Sequence, residues 1–104
     1  MKLACPCGNV ISDITDDLPM KAYVVPDQRY EEVWDAVEAA LNASPPLSET
    51  ESDRLWGRVF HPRNFRPAYQ CEECGRVLIE NRKGRMVSFL PENARAARGV
   101  FRGH

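Results

Sequence analysis

Four cysteines are the residues of this chain best suited to chemistry, and they fall into two pairs, Cys5-Pro6-Cys7-Gly8 and Cys71-Glu72-Glu73-Cys74-Gly75. Each pair is followed directly by a glycine. Cys5 and Cys7 sit too close for an ordinary structural disulfide, which leaves a chelating pair, a strained redox pair or a coincidence. A chain that wraps around a metal ion points successive backbone N–H groups at thiolate sulfur, and the tight turn after the second ligand favours a residue without a Cβ. Two such turns facing each other supply the closed tetrahedral sulfur set of a structural zinc site, with Zn–S near about 2.3 Å. The spacing therefore nominates Cys5, Cys7, Cys71 and Cys74 as ligands of one structural Zn2+, although the same shell also accepts iron.

Two other readings stand beside this one. The four thiols could be buried and metal-free, or Cys71 and Cys74 could be a redox pair. A thioredoxin-like pair sits between a strand and a helix, whereas this one leads toward a hairpin, and the two glutamates between its thiols would raise their pKa and blunt reactivity. Bound zinc would contribute on the order of 10–16 kcal/mol to folding. It would join the start of the chain to its second half across residues 8–70. A four-thiolate shell keeps no open position for a substrate, so metal-assisted hydrolysis is not expected.

Little else has catalytic spacing. His61 and His104 are the only histidines, and neither has metal-ligand neighbours in sequence. No serine lies in a nucleophile elbow, and there is no phosphate-cradling glycine loop. The expectation is that the protein is not an enzyme.

The elements that must position the cysteines can be read from local pattern. "KLAC" and "NVISDI" read as two short strands joined by a tight turn at Gly8, "TDDLPM" as a loop, and "KAYVV" as a strand that Pro26 stops. Asp27 is placed to cap the segment "QRYEEVWDAVEAALN", whose apolar residues Tyr30, Val33, Trp34, Val37 and Leu41 recur with helical period. "SPPLSETESD" reads as a surface loop, with Asp53 capping a short helical turn around "RLWGRVF". The prolines of "HPRNFRPAY" make it an extended connector into "YQC". "RVLIE" and "MVSFL" form a β-hairpin about Gly84, and a helix is expected to open at Pro91 in a tail, residues 92–104, that frays.

At 104 residues the chain fits a single domain, residues 1–104, that would profit from a metal staple. No apolar run approaches a membrane span, and the first residues lack the apolar core of an export signal, so the cytoplasm is the expected compartment. Net charge is −1, yet residues 1–53 carry three basic and eleven acidic side chains, against eleven basic and four acidic in residues 54–104. Two surfaces follow as binding candidates. Glu31, Glu32, Asp35 and Glu38 crowd one helix with like charges at i, i+4, an arrangement that does not favour the helix itself and suits a basic protein partner. Arg58, Arg63 and Arg66 interleave with Phe60 and Phe65, as single-stranded nucleic acid would require. The plainer reading of the first is a solvated face, and of the second a core aromatic set flanked by arginine stems.

The paired knuckles resemble zinc ribbons. Cys71 and Cys74 match the usual C-x2-C-G knuckle, while Cys5 and Cys7 depart from it by one residue. "CPCGNVISDITD", "YEEVWDAVEAAL", "YQCEECGRVLIEN" and "FLPEN" together are similar to small bacterial stand-alone zinc-ribbon proteins, some with antitoxin-like immunity roles. That resemblance implies an α+β fold, a zinc ribbon with an inserted strand and amphipathic helix followed by a β-hairpin. It also implies a non-catalytic protein-binding module, an immunity protein that occludes a toxin or effector. Nucleic-acid binding through Arg58, Arg63, Phe65 and Arg66 is the alternative.

Overall fold

The computed structural model describes residues 1–93, 95 and 98–103. It is an α+β structure with two antiparallel sheets and two helices. The chain divides into two compact units, one of Met1–Tyr23 with Pro67–His104 and one of Val24–Arg66.

In the first unit, β1 (Lys2–Ala4) and β2 (Val10–Ser12) form the expected hairpin, with Leu3 opposite Ile11. Ile11 turns inward and is buried, and Leu3 packs against the same cluster. A second sheet has the order β3-β4-β5-β6, from β3 (Lys21–Val24), β4 (Arg66–Gln70), β5 (Val77–Glu80) and β6 (Met86–Phe89). The β5–β6 turn lies where the sequence places it. Asn81 Oδ1 accepts the N–H groups of Lys83 and Arg85 at 2.9 and 3.0 Å, and Gly84 takes the left-handed φ of 79° that this turn needs. β4 reaches further back than a proline-rich connector would. Its ladder with β5 starts only at Ala68, so Pro67 occupies a place where that ladder asks for no N–H.

Cys5, Ile11, Tyr69, Cys71 and Leu78 form the buried cluster of this unit, ringed by Met20, Cys74 and Met86. Cysteine sulfur is thus part of the core, and so small a set of apolar side chains has little else to organise it.

The second unit holds α1 (Asp27–Leu41) and α2 (Glu49–Val59), which pack on each other. α1 buries Val33, and it ends at Asn42 as its sequence predicts. Asp27 does not cap it. Pro26 holds the N-cap position without a side-chain bond, and Asp27 lies in the first turn, where its carboxylate faces the positive end of the helix dipole. α2 replaces most of the expected loop. Ser48 Oγ accepts the Glu51 N–H at 3.2 Å, so the helix starts at Glu49 rather than at Asp53. At the other end the buried Asn64 donates from Nδ2 to the carbonyls of Arg58 and Val59 at 3.0 and 3.2 Å, adding to the His61 N–H that Arg58 O already accepts at 3.3 Å. The helix expected from Pro91 runs through Ala94, Ala96 and Ala97, which lie outside the described residues, as does His104.

Candidate metal centre

The two cysteine turns are built on the same backbone scheme. In the first, the Cys5 N–H donates to Asn9 O at 2.8 Å and the Gly8 N–H to Cys5 O at 2.9 Å. In the second, Cys71 N–H donates to Arg76 O at 2.8 Å and Gly75 N–H to Cys71 O at 2.9 Å. The first closes four residues on and the second five, so the shorter Cys5–Cys7 spacing removes one residue and keeps the closing bonds. Gly8 and Gly75 have φ of 99° and 81°, a region where an L side chain is strained. Gly75 is crowded as well, since a Cβ there would lie 3.3 Å from Pro91 Cγ.

These turns bring all four sulfurs within 4.8 Å of one another. Cys5 Sγ lies 3.5 Å from Cys74 Sγ, and Cys7 Sγ lies 3.6 Å from Cys71 Sγ. All four cysteines are free. Ligands about 2.3 Å from a tetrahedral ion stand about 3.8 Å apart, so the sulfur spacing fits a divalent cation. Each knuckle also offers a donor to sulfur across or along the chain. Asn9 Nδ2 donates to Cys71 Sγ at 3.4 Å, and the Arg76 N–H donates to Cys74 Sγ at 3.5 Å.

The electrostatics are uneven around the cluster. Burial pushes the Cys5 thiol up to about 12. Burial acts in the same direction on Cys74 but is outweighed by hydrogen bonds from the Arg76 backbone and side chain, which draw it down to about 6. Cys71 is likewise lowered against its burial by backbone N–H groups of its own turn and by Asn9. Hydrogen bonds thus favour thiolate at the second knuckle, while burial opposes it at Cys5. Four thiolates around one ion would make a coordinatively closed shell.

The cysteine spacing nominates the four thiols but gives no sign of what braces them. Lys21 Nζ pairs with Asp13 Oδ2 at 2.7 Å, and the hydroxyl of buried Tyr69 donates to the same oxygen. The ammonium also lies 5.0 Å from the Tyr23 ring centre and 5.7 Å from that of Tyr69. Tyr69 is two residues before Cys71, so this network holds the strand that carries the second knuckle. In the tail, expected to fray, Arg98 donates from its two terminal nitrogens to the carbonyls of Glu72 and Glu73 at 2.6 and 2.7 Å. The Val100 N–H meets Gln70 Oε1 at 3.1 Å. Only the short Ser-x-x-Glu signature at Ser48 and Glu51 could have been read locally. The Asp13–Tyr69 and Arg98 contacts join residues far apart in sequence and leave no periodic trace.

The other candidates lie in the second unit. Glu31, Glu32, Asp35 and Glu38 are all exposed, with only Glu32 paired, to Arg29 at 2.9 Å. Arg58 and Arg63 are exposed, and Phe65 and Arg66 half-buried. The Phe65 ring packs 5.2 Å from that of Phe60. His61 is exposed and its Nδ1 accepts the Arg63 N–H at 3.2 Å, a local turn contact.

Fold and site together define a small α+β protein with a candidate four-thiolate metal centre. The chain belongs to the family described as a domain of unknown function, DUF8617, whose model matches residues 1–93. No curated protein and no solved structure matches it. Among the described residues no helix is long and apolar enough to cross a membrane.

Proposed function

We propose that the protein is a non-catalytic protein-binding module, a zinc ribbon whose four-thiolate zinc ion is structural, and that it neutralises a bacterial toxin or effector in the cytoplasm by direct binding. The observation that carries the first half is the convergence of Cys5, Cys7, Cys71 and Cys74 into one sulfur set, of which Cys5 and Cys71 are buried in the core cluster, Cys74 packs against it and Cys7 is exposed. With every donor a thiolate, the metal's work is to hold two distant turns together. The second half is supported by the exposed face of Glu31, Asp35 and Glu38, none of which has an ion-pair partner among the described residues. An acidic face of this kind steers toward the basic clefts typical of proteins that act on nucleic acids, and the resemblance to stand-alone ribbon proteins points the same way.

Nucleic-acid binding draws less support. Arg58 and Arg63 line one groove of the helical unit with Glu32, whereas Phe60 and Phe65 line another, so these two arginines and the rings do not share one groove. The test is gel filtration and pull-down of the full chain from its native host. A stoichiometric partner lost when Glu31, Asp35 and Glu38 are neutralised together supports the proposal. The absence of any such partner, or salt-sensitive binding to DNA or RNA that needs Arg63, refutes it.

A further inference from the structure

The helical unit carries an apolar groove of about 320 Å³ between α1 and α2, and its nine lining residues are all aliphatic or aromatic. Three of them remain largely open to solvent: Tyr30 is 54% exposed, Trp34 56% and Phe60 61%. The rings are already ordered against each other. Tyr30 and Trp34 meet edge to face at 6.3 Å, and Trp56 stacks on Phe60 at 5.8 Å. Large rings held in place yet uncovered have the make-up of interface anchors rather than of a core.

One flank of this groove is acidic. Glu31, Asp35 and Glu38 follow Tyr30, Trp34 and Val37 by one residue each, so they form the neighbouring stripe of α1. On α2, Asp53 lies one turn before Trp56, on the same stripe. These four carboxylates are exposed and have no ion-pair partner among the described residues. Two arginines of the unit, Arg58 and Arg63, line another groove with Glu32 and Asn64, and Arg29 is paired with Glu32. A second copy of the chain would bring an equally acidic rim to this one, and nucleic acid or an anionic lipid surface would be repelled.

We infer that this groove is the docking site for a basic amphipathic helix of a partner protein, whose apolar face seats on Trp34, Trp56 and Phe60 while flanking Lys or Arg side chains meet Glu31, Asp35, Glu38 and Asp53. Two packed helices with an open apolar seam are completed by a third, in the helix-in-groove mode. The inference rests on the protein-binding reading and adds to it where the partner sits and what chemistry it presents.

The chain's two tryptophans both line the groove, so tryptophan emission excited at about 295 nm reports on this site. The full chain is titrated with a designed 18-residue amphipathic Leu/Lys peptide, with the same peptide carrying Glu for Lys, and with a scrambled Leu/Lys peptide. The expected result is a saturable blue shift with the amphipathic basic peptide only, weakening as salt rises. Binding should fall about tenfold in the Glu31→Gln, Asp35→Asn, Glu38→Gln variant, the order expected of three rim contacts. It should be lost in Trp34→Ala, Phe60→Ala, which removes two exposed side chains and whose helicity is verified by far-ultraviolet dichroism; Trp56 remains as its reporter. Equal binding of the acidic and basic peptides, or of the scrambled one, overturns the inference, as does a tryptophan signal that changes with protein concentration alone, the mark of self-association. If the charge variant weakens binding while Trp34→Ala, Phe60→Ala does not, the groove is refuted and the acidic-face reading stands.

Discussion

Cys5 Sγ and Cys74 Sγ lie 3.5 Å apart although 69 residues separate them in the chain. Each belongs to a different knuckle, and each knuckle closes on its own backbone bonds before the two meet. The sulfur cluster thus joins the β1–β2 hairpin to the β4–β5 connection, with Ile11, Tyr69 and Leu78 as its only fully apolar or aromatic buried companions in the cluster. An ion bound there would act as a folding element.

Replacing Cys71 by Ser removes one ligand from a buried position. Structural zinc contributes on the order of 10–16 kcal/mol in small domains, comparable with or larger than the net stability of a domain this size. The expected outcome is loss of bound metal together with loss of the cooperative thermal transition, measured by metal analysis and calorimetry on the same sample.

Gly75→Ala should destabilise more than Gly8→Ala. Both add a Cβ at positive φ, which costs about 1–2 kcal/mol. Only the Gly75 Cβ also meets a neighbour, Pro91 Cγ at 3.3 Å, whereas that of Gly8 meets nothing within 4 Å. Denaturant melts of the metal-bound proteins give the order directly, and an equal loss in both would show that the Pro91 contact yields freely.

The Asp13 carboxyl is held below the usual carboxylate range, first by its hydrogen bond to Lys21 and then by the Tyr69 hydroxyl. A carboxyl with a depressed folded pKa contributes stability that is fully present above its unfolded value of about 3.9 and is lost as pH falls through the folded value. Between pH 7 and about 4.5 that contribution is nearly constant. Stability plotted against pH should therefore run parallel for the native chain and Asp13→Asn over this range, with the variant lower throughout. A gap that widens between pH 7 and pH 5 would assign a raised pKa to Asp13, and one that stays constant as pH falls below about 4 would assign an ordinary one.

Much of this fold was legible because its signals are local. The Cys-Gly pairs marked both knuckles, the 3.6-residue spacing of Val33, Trp34 and Val37 marked α1, and Gly84 marked the β5–β6 turn. α2 was obscured because two prolines at 45 and 46 suggest a loop, yet the helix begins just beyond them at Glu49. β4 was obscured by Pro67, which the ladder tolerates at that one register. The clasp of Asp13, Lys21 and Tyr69 joins a carboxylate and a phenol 56 residues apart, and no spacing rule reaches that far.

Asn64 supplies the end of α2 with two hydrogen bonds from a buried side chain. Asn64→Ala leaves the Arg58 and Val59 carbonyls without that donor, a loss of about 1–3 kcal/mol. Hydrogen exchange should show the last turn of α2 opening while the amides of β5 keep their protection. Uniform loss of protection in both would contradict a local role.

Arg98 holds the Glu72 and Glu73 carbonyls from the tail, beyond the residues that the family model matches. Arg98→Ala should release metal to a chromogenic chelator several-fold faster, because the loop between Cys71 and Cys74 loses two charge-assisted donors. Unchanged release kinetics would show that the knuckle is rigid without the tail.

The most direct measurement is elemental analysis of freshly purified, untagged full-length protein, paired with melting in the presence and absence of a strong chelator. One equivalent of divalent metal per chain, with the transition abolished by chelation, is the predicted result. Metal well below one equivalent, with melting indifferent to the chelator, would contradict the assignment of the four cysteines to a structural ion.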